Sequence, residues 1–146
     1  HAHGIEVDQI VAESPQATEA LQEARLVVTA TSASEPLFDA SLISDSACVV
    51  AMGSHSPDAR ELPGELLGRA TVLVESLATA KAECGDVIQA VDEGHLTWED
   101  VRTWAHSLDV DAVPSDAPVV FKSAGMSWED IAVAAAIYEA VKGQRG

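Results

Sequence analysis

The sequence predicts an α/β domain built on a mostly parallel sheet with helices on its faces. Three observations carry that expectation. Short, valine-rich apolar runs alternate with segments of helical period, the βαβ rhythm of a parallel sheet. Small hydroxyl residues crowd the carboxyl ends of several of these runs, at residues 31–34, 53–56 and 122–125. The apolar share, 47% of 146 residues, is mostly Ala, Val and Leu with only 4% aromatics, which suits thin α/β layers better than an aromatic-rich sandwich. A chain of this length has room for one domain with a real core.

Each element has its own local signal. Residues 5–11 alternate apolar and polar and read as a strand. Ser14 and Pro15 then supply a helix cap and a first helical residue, and Ala17, Leu21 and Ala24 fall on one helical face. Residues 26–30 form the next strand and residues 31–36 its polar loop. Residues 37–43 allow one helical turn or two. The five apolar residues from Cys48 to Met52 predict a strand buried on both faces, broken abruptly at Gly53. A short helix is expected over 61–69, interrupted at Pro63-Gly64, then a strand over 71–74 and a helix over 76–83 that stops near Gly85.

Two later segments begin alike, Thr97-Trp98-Glu99-Asp100-Val101 and Ser127-Trp128-Glu129-Asp130-Ile131. Each places a hydroxyl at a cap and carboxylates in the first turn, where the helix dipole favours them, so both read as helix starts. The Glu-Asp pairs also suit acid or metal chemistry, but capping explains them without further assumption. Pro118 to Phe121 is a short strand, and Lys122-Ser123-Ala124-Gly125 is a third polar strand end. The last helix, residues 127–142, carries Ile131, Val133, Ile137, Tyr138 and Val141 around too much of its circumference for a surface helix. It is expected to be buried or packed against a partner.

Charge narrows the function classes. Eight basic residues against 24 acidic ones give a net charge of −16, a field that repels duplexes and anionic membranes. Cys48 and Cys84 form no CxxC or paired framework, which points to reduced thiols in a cytoplasmic protein. No apolar run approaches the ~18 residues of a membrane span, and no signal-peptide pattern opens the chain. The first residue is His1, not Met, and the chain reads as a processed or truncated piece. His1 and His3 are a terminal pair better read as a frayed end or tag remnant than a metal site; His95 and His106 read as surface residues.

The stretch from Gly53 to Glu61 carries the main candidate chemistry. Ligands in open parallel sheets sit beyond the carboxyl ends of strands, where this turn is expected. His55 lies within it, and an imidazole titrates near neutrality, which suits general acid or base work. A solvated turn is the plainer reading of the same residues. No GxG occurs anywhere in the chain, and a P-loop, HExxH, EF-hand loop, GxSxG elbow and zinc-like Cys/His grouping are all missing.

Four stretches together resemble the ornithine cyclodeaminase and mu-crystallin family of NAD(P)-dependent enzymes. They are Val27-Val28-Thr29-Ala30-Thr31-Ser32, the run from Met52-Gly53-Ser54-His55 through Pro57-Asp58-Ala59-Arg60-Glu61-Leu62, Glu83-Cys84-Gly85-Asp86, and Val120-Phe121-Lys122-Ser123-Ala124-Gly125-Met126. The resemblance covers essentially the whole chain but the carboxyl-terminal half or less of a typical member. It implies a single truncated Rossmann-like domain over residues 1–146, doubly wound and lacking its first βαβ segment, with NAD or NADP as cofactor. Thr31, Met52, Gly53, Ser54 and Ser123 would line that cofactor, and Ala124 and Gly125 would border an amino-acid or cyclic imino-acid substrate. His55 would handle the substrate's proton, standing where ornithine cyclodeaminases carry an aspartate. Ala59 departs from members with a basic residue there, beside Arg60.

The cation inventory limits such a site. A substrate carboxylate and two cofactor phosphates need cations or amides, and only Arg60 and Lys122 lie beside expected strand ends. The chain alone is therefore expected to be inactive. Two functions follow from different classes: an NAD(P)-linked oxidoreductase or deaminase, or a noncatalytic assembly module that pairs as a homodimer or with an amino-terminal half. Truncation also predicts one exposed sheet edge, where missing strands would pair.

Overall fold

The computed structural model describes residues 14–104 and 116–143. The strand expected over 5–11, and His1, His3 and His106, lie outside these residues. Local signals set most of the described elements. Helix α1 (Pro15–Glu23) opens on the Ser14 hydroxyl, which accepts from the Ala17 amide at 3.2 Å, with proline in the first turn. Strand β1 (Leu26–Thr29) follows, and then a single 3₁₀ turn at Ala40–Leu42 within the segment where one or two turns were possible. Strand β2 (Cys48–Ala51) leads through a long turn to α2 (Gly64–Arg69), which starts directly after Pro63. Strand β3 (Thr71–Val74) and α3 (Leu77–Glu83) come next, the latter capped by the Ser76 hydroxyl on the Thr79 amide at 3.3 Å.

Among the described residues the sheet has five strands in the order β1-β2-β5-β3-β4, where β4 is Arg102–Thr103 and β5 is Val119–Lys122. Every neighbouring pair is parallel, as the βαβ alternation predicts. The chain's last strand is inserted between β2 and β3, so residues far apart in sequence end side by side. The register sets Thr29, Ala51, Lys122 and Val74 in one row at the carboxyl edge of the sheet. All four are buried, and they point to the same side as Val27, Val49, Val72 and Val120. Leu62, Leu66, Leu67, Val87 and Ala90 pack with them into one core, supplied by the helical connections.

Two local expectations need correction. Strand β2 is not buried on both faces: Val49 and Ala51 are buried, but Cys48 and Val50 are half-buried and Met52 is exposed beyond the strand. On β1, Leu26 and Val28, which point away from the row of Val27 and Thr29, are 61% and 56% exposed. Thr97-Trp98-Glu99-Asp100 is a single turn, not the start of a helix. The Asp100 carboxylate accepts from both the amide and the hydroxyl of Thr97, at 3.0 and 2.7 Å, while Lys81 lies over the Trp98 ring at 5.3 Å. Past the turn, Arg102 pairs with Leu73 of β3, and the sheet edge takes up the chain before a second helical turn can form.

A helix the local signals did not disclose, α4 (Gly85–Asp92), begins where α3 was expected only to stop. Helix α5 (Ser127–Gly143) forms at the expected place but is not buried within the chain. Ile131, Val133, Ile137, Tyr138 and Val141 are exposed. Its apolar residues encircle the helix, so no single stripe directs it onto the domain. No helix among the described residues is long and apolar enough to cross a membrane.

Candidate functional site

The carboxyl ends of β1, β2 and β5 are adjacent, so the loops holding Thr31, Gly53 and Ser123 meet at one edge of the sheet. Backbone bonds begin the assembly: the Met52 amide donates to Thr29 O and the Ser123 amide to Ala51 O, each at 2.9 Å. A buried carboxylate completes it. One oxygen of Glu61 accepts from the amide and hydroxyl of Thr31, at 2.7 and 2.8 Å. Its other oxygen accepts from the Thr29 hydroxyl at 2.9 Å and the Gly53 amide at 2.8 Å. Burial by itself would raise the Glu61 carboxyl; the donations from Thr31, Gly53 and Thr29 outweigh it and hold the group below the ordinary glutamate value. Gly53 is required by this closeness, since a Cβ there would lie 2.1 Å from the Thr31 carbonyl oxygen and 2.5 Å from the Glu61 carboxylate.

Asp86, in the first turn of α4, holds the next layer. One carboxylate oxygen accepts from the Glu61 and Leu62 amides at 2.7 and 2.8 Å. The other lies 3.2 Å from the Lys122 ammonium, which in turn donates to the Ser54 carbonyl at 2.7 Å. Gly85 lets α4 approach this closely, because a Cβ would meet the carbonyls of Ala59, Ser56 and Pro57 at 2.1, 2.3 and 2.9 Å. The Ser54 hydroxyl donates to the Ala59 carbonyl across the turn.

The expected site residues are thus brought together unequally. Thr31, Gly53, Ser54 and Ser123 share the edge; Met52 is exposed beside them, Ala124 is half-buried, and Gly125 adopts a positive φ of 75° just beyond. His55 stands exposed on the turn. Both expected cations face carboxylates. Lys122 is the last residue of β5 rather than a loop residue, is fully buried, and is held by Asp86 and Ser54. Arg60 pairs with Glu93 at 2.7 Å. The Ser123 hydroxyl donates to Glu75 at 2.5 Å, and the Ala124 amide reaches the same carboxylate at 2.9 Å.

Three organising carboxylates, Glu61, Asp86 and Glu75, were not singled out as site residues. Glu75 had a usable signal, since it follows β3 directly and so sits at a strand end as Ser123 does. Glu61 and Asp86 lie within two of the stretches that carry the family resemblance, but nothing local marked their roles, because their partners lie 8 to 36 residues away. Cys84 is buried, and burial pushes its thiol up to about 11, so it is protonated at neutral pH. His95 is half-buried, with Nε2 3.7 Å from the Glu93 carboxylate. Among the described residues, no group of three or more His, Cys, Asp or Glu is placed to hold a metal.

The chain is similar to several known proteins. The family model described as Ornithine cyclodeaminase/mu-crystallin family matches residues 2–145. The Delta(1)-pyrroline-2-carboxylate reductase of Bacillus cereus is 37% identical over 128 residues, which are 84% of this chain and 39% of that protein. The Thermococcus litoralis Delta(1)-pyrroline-2-carboxylate reductase, solved in complex with NADH and L-proline, superposes with a TM-score of 0.75 at 26% identity, over 84% of this chain and 39% of its own. An archaeal alanine dehydrogenase dimer with bound NAD gives a TM-score of 0.77 at 27% identity, over 99% and 44%. The chain therefore spans about two fifths of the length of the relatives it matches.

The Glu61 carboxylate should be visible in the pH dependence of stability. Its folded-state value is lowered, so its contribution is complete above the unfolded-state value of about 4.3 and is lost as pH falls through the folded-state value. Glu61→Gln turns an amide group toward donors and is expected to lose about 3 kcal/mol near neutral pH. Urea unfolding of the variant, followed from neutral pH into acid, should show a shallower decline than the parent. The decline that remains comes from groups such as Asp39 and Asp100, held low by hydrogen bonds from Ser41 and Thr97. Equal declines in the two proteins would refute the role given to Glu61.

Proposed function

The chain belongs to the Ornithine cyclodeaminase/mu-crystallin family, and from that membership we propose that it is the cofactor-binding part of an NAD(P)-linked oxidoreductase or deaminase acting on an amino acid or cyclic imino acid. The observation that carries the reading is the meeting of the Thr31, Gly53 and Ser123 loops at the carboxyl edge of three adjacent parallel strands. This is where an open α/β sheet takes a ligand. The names of the relatives, two pyrroline-2-carboxylate reductases and an alanine dehydrogenase, support reduction of a C=N bond beside a carboxylate as the reaction class.

The residues present fit the nicotinamide end of such a cofactor. Thr31, Met52, Gly53, Ser54 and Ser123 offer small side chains and backbone at the strand ends. Nothing comparable serves the two phosphates, since the sequence has no GxG turn and both Arg60 and Lys122 are held by carboxylates. When bound, NAD(P)H supplies a hydride for the substrate's α-carbon. His55, exposed at the turn, would give or take the proton at the substrate nitrogen, and Ala124 and Gly125 would leave room for the substrate beside it. An imidazole stands where ornithine cyclodeaminases carry an aspartate, which favours imine reduction or a related interconversion over ornithine cyclodeamination. Cations for the substrate carboxylate must come from elsewhere, so the 146-residue chain alone should not turn over.

A second reading rests on a separate observation, the apolar circumference of α5, exposed at Ile131, Ile137 and Tyr138. In that reading the chain is an assembly module that pairs with a second copy or with an amino-terminal half.

Titration of the purified chain with NADH and NADPH, read by energy transfer from its three tryptophans, tests the first reading. Saturable but weak binding, below millimolar concentration, is expected of a site without a phosphate cradle, and none up to millimolar concentration would overturn the reading. In a complete enzyme containing this chain, His55→Ala should lower kcat by roughly a hundredfold or more with an unchanged unfolding midpoint; unchanged turnover would remove His55 from the mechanism. Light scattering and pull-down test the second reading, which expects association and fails if the chain is a stable monomer that retains no partner.

A further inference from the structure

The buried Asp86–Lys122 pair is unexplained by the reading above, which needs no charge beneath the sheet. Both side chains are fully buried, and a buried pair is seldom retained for stability alone, since well-packed apolar residues often serve as well. What distinguishes this pair is its third partner. Lys122 Nζ donates to the carbonyl of Ser54 at 2.7 Å. That carbonyl shares one rigid peptide plane with the amide of His55, so the ammonium sets the direction in which the His55 backbone leaves the turn.

The rest of the turn is fixed just as closely. The Gly53 amide is held by Glu61 at 2.8 Å, and the Ser54 hydroxyl by the Ala59 carbonyl. The Ala59 amide donates to the Ser56 carbonyl at 3.1 Å, and Gln89 Nε2 to the Pro57 carbonyl at 2.9 Å. Asp86 joins the two ends, since it receives the Glu61 and Leu62 amides on one oxygen and faces Lys122 with the other. Within this frame the imidazole of His55 is exposed, while its backbone is pinned from below. A proton-transferring group gains most from such prior orientation.

We infer that Lys122 and Asp86 are positioning residues that hold the Gly53-Ser54-His55 turn in the geometry used for cofactor and proton handling, Lys122 acting through the Ser54 carbonyl rather than on any ligand. The inference rests on the site assignment proposed above. It reverses the role the sequence suggested for Lys122, that of a cation for an anionic ligand.

The test compares the parent chain with the double variant Asp86→Asn/Lys122→Met. The asparagine oxygen can still accept from the Glu61 and Leu62 amides and no unpaired charge remains, so the core persists while the hold on Ser54 is lost. Amide hydrogen exchange is expected to quicken by roughly tenfold at Gly53 and Ala59, with Met52, Val49 and Val120 unchanged. NADH should bind roughly tenfold more weakly. Unchanged exchange at Gly53 and Ala59, or an increase spread evenly through the strands, would overturn the inference. So would a loosened turn with unaltered NADH affinity. If the parent binds no NADH at all, the proposed function fails, and the exchange comparison still decides whether Lys122 pins the turn. Should the double variant lose its helical circular dichroism, Asp86→Asn/Lys122→Leu, which likewise leaves no donor at position 122, carries the same comparison.

Discussion

A single buried carboxylate ties the two strand ends on which the rest of this edge depends. Glu61 receives four donors: the amide and hydroxyl of Thr31, the hydroxyl of Thr29 and the amide of Gly53. Hydrogen bonds to an ionised acceptor contribute about 1.5–3 kcal/mol each, and a donor left without a partner here would be costly. The constraint propagates in both directions. It forces a glycine at position 53, where a Cβ would overlap Thr31, and it brings the Glu61 amide onto Asp86 at the start of α4.

Electrostatics explains why so acidic a chain can carry this arrangement. Its net charge is −16, yet at the edge the carboxylates face inward onto donors rather than outward. Glu61 is met by hydroxyls and amides, Asp86 by amides and an ammonium, and Glu75 by the Ser123 hydroxyl and Ala124 amide. The cations are used in the same internal way. With Lys122 beneath the turn, Arg60 on Glu93, and the Thr29, Thr31, Ser54 and Ser123 hydroxyls and the Gly53 amide all donating within the chain, the His55 imidazole is left exposed at the edge.

Among the described residues β1 borders the sheet, with Leu26 and Val28 exposed. Helix α5 presents Ile131, Ile137 and Tyr138 to solvent in the same way. Apolar surfaces of this kind mark places where further protein packs. They accord with a chain that spans about two fifths of the length of its relatives.

Much of the architecture was legible locally. Strands β1, β3 and β5 and the capped helices α1 and α3 lie where valine runs and Ser caps place them, because those signals act within a few residues. The same locality explains the failures. Thr97 and Ser127 open nearly identical phrases, yet one is captured by the edge of β3 and the other continues as α5, a choice made by a neighbour distant in sequence. The strand-end polar residues identified the edge where Thr31, Gly53, His55 and Ser123 gather. Only the insertion of β5 between β2 and β3 placed Lys122 under Ser54 and opposite Asp86, because a charge's role depends on which partners surround it once it is buried.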